Sequence, residues 1–415
     1  MKKRITLIFT IVLSLILTQG TFLAQNLDKG VFKKGSNKFM QKARKELKEY
    51  YNKQKPKRDW KRFKVDFTGK KFPTNADDYK TFWHTEPLSQ GMTGTCWSWS
   101  TTSFFESELY RVHGKKIRIS PIYNAYWEYV EKVKRYVCER GNSEFGEGSE
   151  ANAVPRIWKK YGCVPYSVYD GLKNGIPYHD HSKMFKEMNS FLKSIKENNY
   201  WNTDFVVETI KSIMNKYIGA PPAKFEYEGK EYTPKTFFKN VVNLNMDDYV
   251  DVVSYLQKPF WQQVEYIVPD NWWHNADYYN VPLDDFIAAI KGAVEKGFSL
   301  CIGGDVSEPG YDSETEVSII PTFDIPRKYI NDDARQFRFS NRTTTDDHGI
   351  HIVGFNKVDG DYWFMIKDSG SGARNGKHVG YRFYREDYVK LKIMDFMVHK
   401  DAIPELLKKI KAHQK

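Results

Sequence analysis

The chain has 415 residues, of which 40% are hydrophobic and 28% are charged, and this composition excludes a disordered chain. Four Cys are too few for a disulfide scaffold of this length. Lys and Arg outnumber Asp and Glu by 64 to 52, a mild excess that gives little support to nucleic-acid binding. We expect one enzyme-sized unit with a large insertion and no required nucleic-acid partner.

The first 26 residues have the anatomy of a secretory signal peptide. Lys2-Lys3-Arg4 precede a 13-residue apolar run, Ile5–Leu17, and polar residues follow it. Because this run is short for a bilayer span, we expect cleavage after Ala24 and export to the periplasm or the medium. No stable membrane span is then expected in the mature protein. An uncleaved membrane anchor is the alternative.

Changes in pattern along the chain predict its domain organisation. A polar amphipathic helix is expected at 36–56. From the full pattern we predict a signal peptide at 1–24, an N-terminal extension at 25–84, a helical lobe at 85–179, a helical insertion at 180–290, a β lobe at 291–403 and a C-terminal helix or tail at 404–415.

Cys96 is the first candidate for a chemical role. The Gly-bearing loop 90–95 leads into a segment whose apolar side chains recur on one helical face, which places Cys96 at a helix N-terminus. Free amides and the helix dipole there favour the thiolate, the form that a sulfur nucleophile needs. The alternative is that Cys96 is a small buried hydrophobic residue. No spacing of Cys and His predicts a metal site.

Two further helices are predicted in the helical lobe. The segment near Pro121 to Val137 carries an aromatic stripe that we interpret as core, and a loop, Gly141 to Ser149, precedes a helix from Glu150 to Tyr161. In the last third of the chain, apolar residues after Gly297 indicate the first strand of the β lobe.

His348 is the second candidate, in an apolar strand that precedes Asp359-Gly360 and another apolar strand. Positions three apart in a strand face opposite sides, so His348 and His351 cannot jointly bind a metal. If the connection is centred on Val358, antiparallel pairing places His348 opposite Asp368. A carboxylate there would orient the imidazole and stabilise its protonated form.

Three motifs follow one another along the chain: Gln90-x5-Cys96-Trp97-Ser98-Trp99-Ser100, Asp347-His348-Gly349-Ile350 and Lys367-Asp368-Ser369-Gly370. Their order and spacing resemble those of papain-like cysteine peptidases. Softer matches resemble the bleomycin hydrolase and aminopeptidase C branch: Ile119-Ser120-Pro121, Lys160-Tyr161-Gly162, Tyr279-Asn280-Val281-Pro282 and Gly304-Asp305-Val306. The resemblance covers roughly residues 85–405.

The resemblance implies an α+β, papain-like two-lobed fold with a helical insertion. The helical lobe would carry Cys96, and an antiparallel β-barrel-like lobe would carry His348. It also implies a cysteine peptidase that acts on peptides without a cofactor or a metal. The implied site residues are the nucleophile Cys96, its base His348, the oxyanion donor Gln90, the orienting Asp368, and Gly148 and Ser149 along the substrate backbone.

Two positions depart from the family pattern at the site. Asp368 replaces the usual Asn, and Gly370 replaces the Trp that covers the hydrogen bond from Asn to His. An anionic third member would favour imidazolium, whereas loss of the cover would admit water and screen that gain.

The C-terminus differs from the branch as well. The arm that reaches into the cleft in the branch looks truncated at Lys415, and residues 405–415 have the spacing of a surface helix. We therefore expect cleavage of N-terminally blocked peptides, alongside or instead of aminopeptidase activity.

Two other functions stay open at this stage. An exported binding protein on a catalytically retired peptidase fold is one, since Asp368 and Gly370 depart from the family. A Cys-His-Asp acyl transferase is the other, because the same triad suits amide transfer. A homo-oligomer is compatible with the sequence, which does not define its size.

Overall fold

The computed structural model describes residues 37–54, 61–173 and 175–414, in two units that divide between Lys61 and Arg62. In the first unit the described structure is one helix, α1 (Lys38–Gln54), which lies within the predicted 36–56 and has no buried residue. The predicted signal peptide at 1–24 and residues 25–36 of the extension lie outside the described residues.

Helices of the second unit occupy the predicted helical lobe, the insertion and the flanks of the sheet. The helix predicted near Pro121 is confirmed: Pro121 is its first residue, and Oγ of Ser120 accepts a hydrogen bond from the amide of Tyr123 at 3.1 Å. In chain order the helices are α2 (Cys96–His113), α3 (Pro121–Cys138), α4 (Ala153–Tyr161), α5 (Ser182–Glu197), α6 (Thr203–Ile218), α7 (Pro234–Phe237), α8 (Leu283–Glu295), α9 (Asp332–Ser340), α10 (Glu386–Lys392) and α11 (Pro404–His413).

Strands form one large sheet and a separate hairpin. They are β1 (Lys80–Thr81), β2 (Phe225–Tyr227), β3 (Lys230–Tyr232), β4 (Tyr249–Val253), β5 (Gln262–Val264), β6 (Tyr278–Asn280), β7 (Leu300–Gly304), β8 (Val317–Ser318), β9 (His348–Val358), β10 (Asp361–Lys367), β11 (Tyr381–Arg385) and β12 (Ile393–His399). The hairpin pairs β2 with β3.

The large sheet has the order β5-β6-β4-β12-β7-β9-β10-β11-β8, and β1 also pairs with β9. Its pairs are antiparallel except β4 with β6 and β11 with β8, which are parallel. The β lobe was expected to resemble a barrel. Within the described residues the sheet is instead open, because β5 and β8 are its two ends and do not pair with each other.

The two largest hydrophobic cores among the described residues lie in the two lobes. The helical core includes α2 to α4 and also takes Met184, Ile210 and Phe237 from the segment predicted as the insertion. The other core lies on the sheet and includes α8 and the C-terminal helix α11. The segment predicted as the insertion, residues 180–290, also supplies β4 to β6 of the large sheet. The limits of the predicted domains stay predictions. Among the described helices, none combines the length and apolarity needed to cross a bilayer.

The hairpin of β9 and β10 turns at Asp359-Gly360, whose φ angles are +53° and +86°. Two positive φ angles are typical of a two-residue type I′ turn, which matches the twist of the flanking strands. Val358 therefore lies opposite Asp361. The predicted pairing centred on Val358 was wrong, because the two turn residues themselves form the centre.

An irregularity further along this hairpin changes the register again. The pairing shifts between Met365 and Ile366, so that Lys367, the last residue of β10, lies opposite His351. Such a bulge bends the strand and changes where the side chains beyond it point. Asp368 follows the end of the ladder and is not paired across from His348.

Candidate functional site

Cys96 is the first residue of α2, as predicted, and its thiol is free and partly exposed. The loop before it is fixed by two hydrogen bonds from backbone amides. Met92 donates to the carbonyl of His179 at 2.8 Å, and Gly94 donates to Oε2 of Glu147 at 2.7 Å. These bonds hold the start of the helix in place, so the position of the sulfur is defined by the loop as well as by the helix.

Close contact between β9 and α2 brings His348 to the start of α2, where Cys96 lies. His348 is the first residue of β9, and the next residue is Gly349. A Cβ at Gly349 would lie 2.9 Å from Oγ of Ser100 and 3.2 Å from Cα of Trp97. Only glycine lets the strand approach the first turn of the helix this closely.

His348 and Asp368 form a buried pair. Nε2 of His348 lies 2.8 Å from Oδ1 of Asp368, and the amide of Gly370 donates to the same oxygen at 2.7 Å. The exposed fraction of the side chain is 11% for His348 and 1% for Asp368. Since Nε2 is bound to Asp368, Nδ1 is the ring nitrogen available to Cys96.

The charges on the His348 imidazole and the Asp368 carboxyl group stabilise each other. Burial lowers the pKa of His348, but the charge and hydrogen bond of Asp368, with those of Cys96, raise that pKa well above its usual value. Burial raises the pKa of Asp368, yet the His348 charge and hydrogen bond lower it overall. The geometry therefore favours imidazolium beside carboxylate.

Gly370 takes the place of the covering Trp, and the pair remains buried. A Cβ at Gly370 would lie 3.1 Å from Cε1 and Nε2 of His348 and 3.1 Å from Oδ1 of Asp368. The backbone at Gly370 thus lies directly against the hydrogen bond. Despite the absence of Trp, only 1% of the Asp368 side chain is exposed.

Gln90 is buried, and its side chain has a fixed orientation. Its Nε2 donates to the carbonyl of Thr93 at 2.6 Å, and its Oε1 accepts from Oγ of Ser369 at 2.7 Å. The backbone amide of Gln90 also donates to the carbonyl of Ser369 at 3.0 Å. These bonds link Gln90 to the residue after Asp368 and leave one hydrogen on Nε2 for another acceptor.

Ser149 lines a cavity of about 30 Å³ together with Cys96 and His348. The hydroxyl of Ser149 donates to Oε1 of Glu128 at 2.7 Å. Gly148 precedes it, and a Cβ there would lie 2.3 Å from both carboxylate oxygens of Asp270. The structure thus places Ser149 and Cys96 in the wall of one cavity, whereas Gly148 makes room for Asp270.

Glu150, Asp346 and Asp395 are among the acidic residues of this cavity to which the sequence analysis assigned no role. One ligand oxygen from each lies within 4.8 Å of the others. Burial raises the pKa of Asp346 to about 7 and raises those of Glu150 and Asp395 well above the usual range. The sequence offers one signal, because Asp395 is the only charged residue between the apolar residues 393 and 398.

Residues 146–415 match a family model described as the Peptidase C1-like family. Aminopeptidase C of Streptococcus thermophilus is 23% identical over 285 residues, which cover 57% of this chain and 62% of that protein. Aminopeptidase C of Lactobacillus delbrueckii subsp. lactis is 20% identical over 371 residues, 77% of this chain and 81% of that protein. The chain thus spans about 62% of the length of the first of these relatives.

A solved structure shares the fold. The crystal structure of PepW from Lactobacillus rhamnosis HN001 is similar with a TM-score of 0.62 and 19% sequence identity, over 83% of this chain and 85% of that one. This likeness confirms the predicted α+β, papain-like fold.

Proposed function

The chain belongs to the Peptidase C1-like family, and we propose that it is a cysteine peptidase that hydrolyses peptide bonds with Cys96 as the nucleophile. The observation that carries this proposal is the bond from Nε2 of His348 to Asp368. It leaves Nδ1 for the sulfur at the start of α2. A sulfur nucleophile, a base and a group that orients the base are the minimal set for this chemistry.

The reaction follows from these positions. The Cys96 thiolate attacks the peptide carbonyl, and a C–S bond forms as the carbonyl oxygen takes the electron pair. His348, as imidazolium, gives its Nδ1 proton to the leaving amine, and the C–N bond breaks to form a thioester. Water, deprotonated by His348, then attacks the thioester and releases the acid and Cys96. Asp368 positions the ring throughout.

Two donors are available for the oxyanion of the intermediate. The backbone N–H of Cys96 lies at the start of α2, where the helix has free amides. The second donor is the remaining hydrogen on Nε2 of Gln90, whose amide is held by Thr93 and Ser369. Preorganised donors stabilise developing charge without reorganisation during the reaction. Ser149 and Gly148 contribute to the edge along which the substrate backbone binds.

The substrates we propose are peptides, with blocked N-termini accepted as well as free ones. Relatives carry the name aminopeptidase C, which supports activity at free N-termini. The C-terminal helix α11 packs through Leu406 and Ile410 into the core on the sheet. None of its described residues lines the cavity beside Cys96, which supports a cleft that also accepts longer peptides.

Export is the remaining part of the proposal. Lys2-Lys3-Arg4 and the apolar run Ile5–Leu17 support an N-terminal signal peptide. N-terminal sequencing of protein recovered from the producing cells tests it. We expect a mature N-terminus at Gln25, and a start at Met1 in the exported fraction would contradict cleavage.

Labelling by a peptidyl vinyl sulfone tests the peptidase proposal. We expect rapid, pH-dependent modification of Cys96 and much slower modification in His348→Ala, because the imidazole supports the thiolate. A slow reaction equal in both proteins would favour a retired fold that only binds peptides. Product analysis with an added amine acceptor separates hydrolysis from acyl transfer.

A further inference from the structure

The cavity beside Cys96 is lined by several acidic residues. Glu150 and Asp395 have only 5% and 2% of their surface exposed, and both line the cavity together with Asp346. Asp270 and Asp347 line it too, and His348 is the only basic residue among its lining residues in the described chain. Its walls therefore present several carboxyl groups and no Lys or Arg among the described lining residues.

Three carboxylate oxygens of this acidic wall receive no hydrogen bond from the described residues. Oε1 of Glu150, Oδ2 of Asp346 and Oδ1 of Asp395 are buried and have no hydrogen-bond partner among the described residues. A buried acceptor without a partner is destabilising, and most such groups in native proteins are satisfied. These three atoms thus have unused capacity to bind a donor.

Gly303 explains how β7 accommodates one of these oxygens. A Cβ at Gly303 would lie 2.3 Å from Oδ1 of Asp395 and 3.3 Å from Oδ1 of Asp346. Gly303 itself lines the cavity. The absence of a side chain on β7 therefore leaves room for the unpartnered oxygen of Asp395.

The neighbouring positive charge is only partly engaged by hydrogen bonds. The charge of Arg335 acts on Asp395, and its Nε and Nη1 donate to the carbonyls of Ser254 and Lys390 at 2.9 Å and 2.8 Å, while its Nη2 has no hydrogen-bond partner among the described residues. Arg335 does not line the cavity in the described structure. Burial, and repulsion from neighbouring carboxyl groups, raise the pKa values of Glu150, Asp346 and Asp395, so a cation bound between them would offset unfavourable negative charge.

We propose that Glu150, Asp346 and Asp395 form an acidic pocket that binds the ammonium group of a peptide substrate beside the scissile bond. An ammonium group donates three hydrogen bonds, which matches three unpartnered acceptors. A cavity of about 30 Å³ has room for one or two water-sized groups, so it fits ammonium better than the larger guanidinium. The inference rests on the proposed peptidase function.

Two ammonium groups of a peptide could occupy the pocket, and matched substrates distinguish them. The substrates are coumarin amides of X-Leu, in which Leu supplies the scissile carbonyl and X is Lys or norleucine, which is Lys without its ammonium. A preference for acetyl-Lys-Leu over acetyl-norleucine-Leu of about 10-fold or more in kcat/KM identifies the Lys side chain. A similar preference for free over acetylated norleucine-Leu identifies the N-terminal amine.

Variants of the pocket provide the second readout. In Glu150→Gln and Asp395→Asn we expect the ammonium preference to fall towards 1, while norleucine substrates are still cleaved and Cys96 is still alkylated. Asp251→Asn is the matched control, because Asp251 is also buried, with a pKa raised to about 7 by burial, but lies outside the cavity lining. It should keep the preference.

Each contrary outcome has a distinct meaning. Equal kcat/KM for all three substrates in the parent protein overturns the ammonium pocket and leaves the peptidase function intact. Activity that is lost with EDTA and restored by Ca²⁺ or Mn²⁺, without an ammonium preference, shows an inorganic cation in the pocket and also overturns the inference. No cleavage together with no rapid alkylation of Cys96 overturns the proposed function itself. The substrate comparison needs no variant, so a misfolded variant leaves the test intact.

Discussion

Nε2 of His348 lies 2.8 Å from Oδ1 of Asp368, and this contact determines which ring nitrogen faces the nucleophile. Because Nε2 is held, the other nitrogen, Nδ1, is free for Cys96. The pair is buried, so its mutual attraction is weakly screened by solvent. A carboxylate at position 368 therefore sets the charge of the imidazole as well as its orientation.

Asp368→Asn should keep substantial activity, because the amide oxygen can still orient the ring. The charge that raises the pKa of His348 would be gone, so that pKa should fall. Activity needs the imidazolium, which is lost as the pH rises through this pKa. The basic limb of the profile of kcat/KM against pH should therefore move to lower pH in Asp368→Asn.

Asp368→Ala is the companion variant and should lose roughly 10- to 100-fold in kcat/KM, the effect of removing an orienting group. A purely structural role would lower the amount of folded protein in both variants without moving the pH profile. Activity of Asp368→Ala equal to the parent would mean that another group orients His348.

Alkylation should single out Cys96 among the four cysteines, which are all free thiols. Burial raises the pKa of Cys163 well above its usual value and that of Cys301 to about 12. Cys138 is exposed, but it is the last residue of α3 and does not line the cavity that Cys96 shares with His348. Iodoacetamide at pH 6, followed by peptide mapping, should modify Cys96 far faster than the others. Uniform rates would contradict the proposed site.

Gly349→Ala should separate the two halves of the site. The added Cβ would meet Oγ of Ser100 at 2.9 Å and Cα of Trp97 at 3.2 Å, so β9 must move away from α2. We expect a loss of about 1–3 kcal/mol in the free energy of unfolding. We also expect a fall of about 10-fold or more in kcat/KM, since small misplacements of reacting groups are costly.

Gly292→Ala is the control for that change, because nothing lies within 4 Å of the added Cβ and the residue is inside α8. It should leave activity unchanged and stabilise the protein by up to about 1 kcal/mol. Thermal unfolding and kcat/KM, measured on Gly349→Ala and Gly292→Ala, test this prediction. Unchanged activity in Gly349→Ala would show that the strand can shift without moving His348.

Local sequence patterns were sufficient to predict the helix that begins at Cys96 and the strand that carries His348. Local patterns did not predict the register of β9 with β10, which determines where Asp368 lies relative to His348. The pairing shifts at a bulge after Met365, and no local sequence pattern in β10 marks that bulge. The meeting of these two residues was nevertheless anticipated from the family motifs. Glu150, Asp346 and Asp395 come from three separate segments, so only the tertiary structure shows that they share a cavity.

The position of cleavage along a peptide is the last prediction. A cleft blocked by part of its own chain must bind a free substrate amine, whereas an open cleft binds residues on both sides of the scissile bond. Here α11 is anchored on the sheet core by Leu406 and Ile410, and Lys409 pairs with Asp285 at 2.6 Å. None of the described residues of α11 lines the cavity beside Cys96.

We therefore expect the mature protein to cleave an acetylated peptide of about ten residues as well as its free form. Mass spectrometry of the products identifies the bonds cut, and internal bonds should be among them. The same peptides with the His348→Ala protein control for a contaminating peptidase. Strict dependence on the free amine would show that another segment restricts the cleft, and residues 180–290 are where we would look first, because they include Asp270 at the cavity wall.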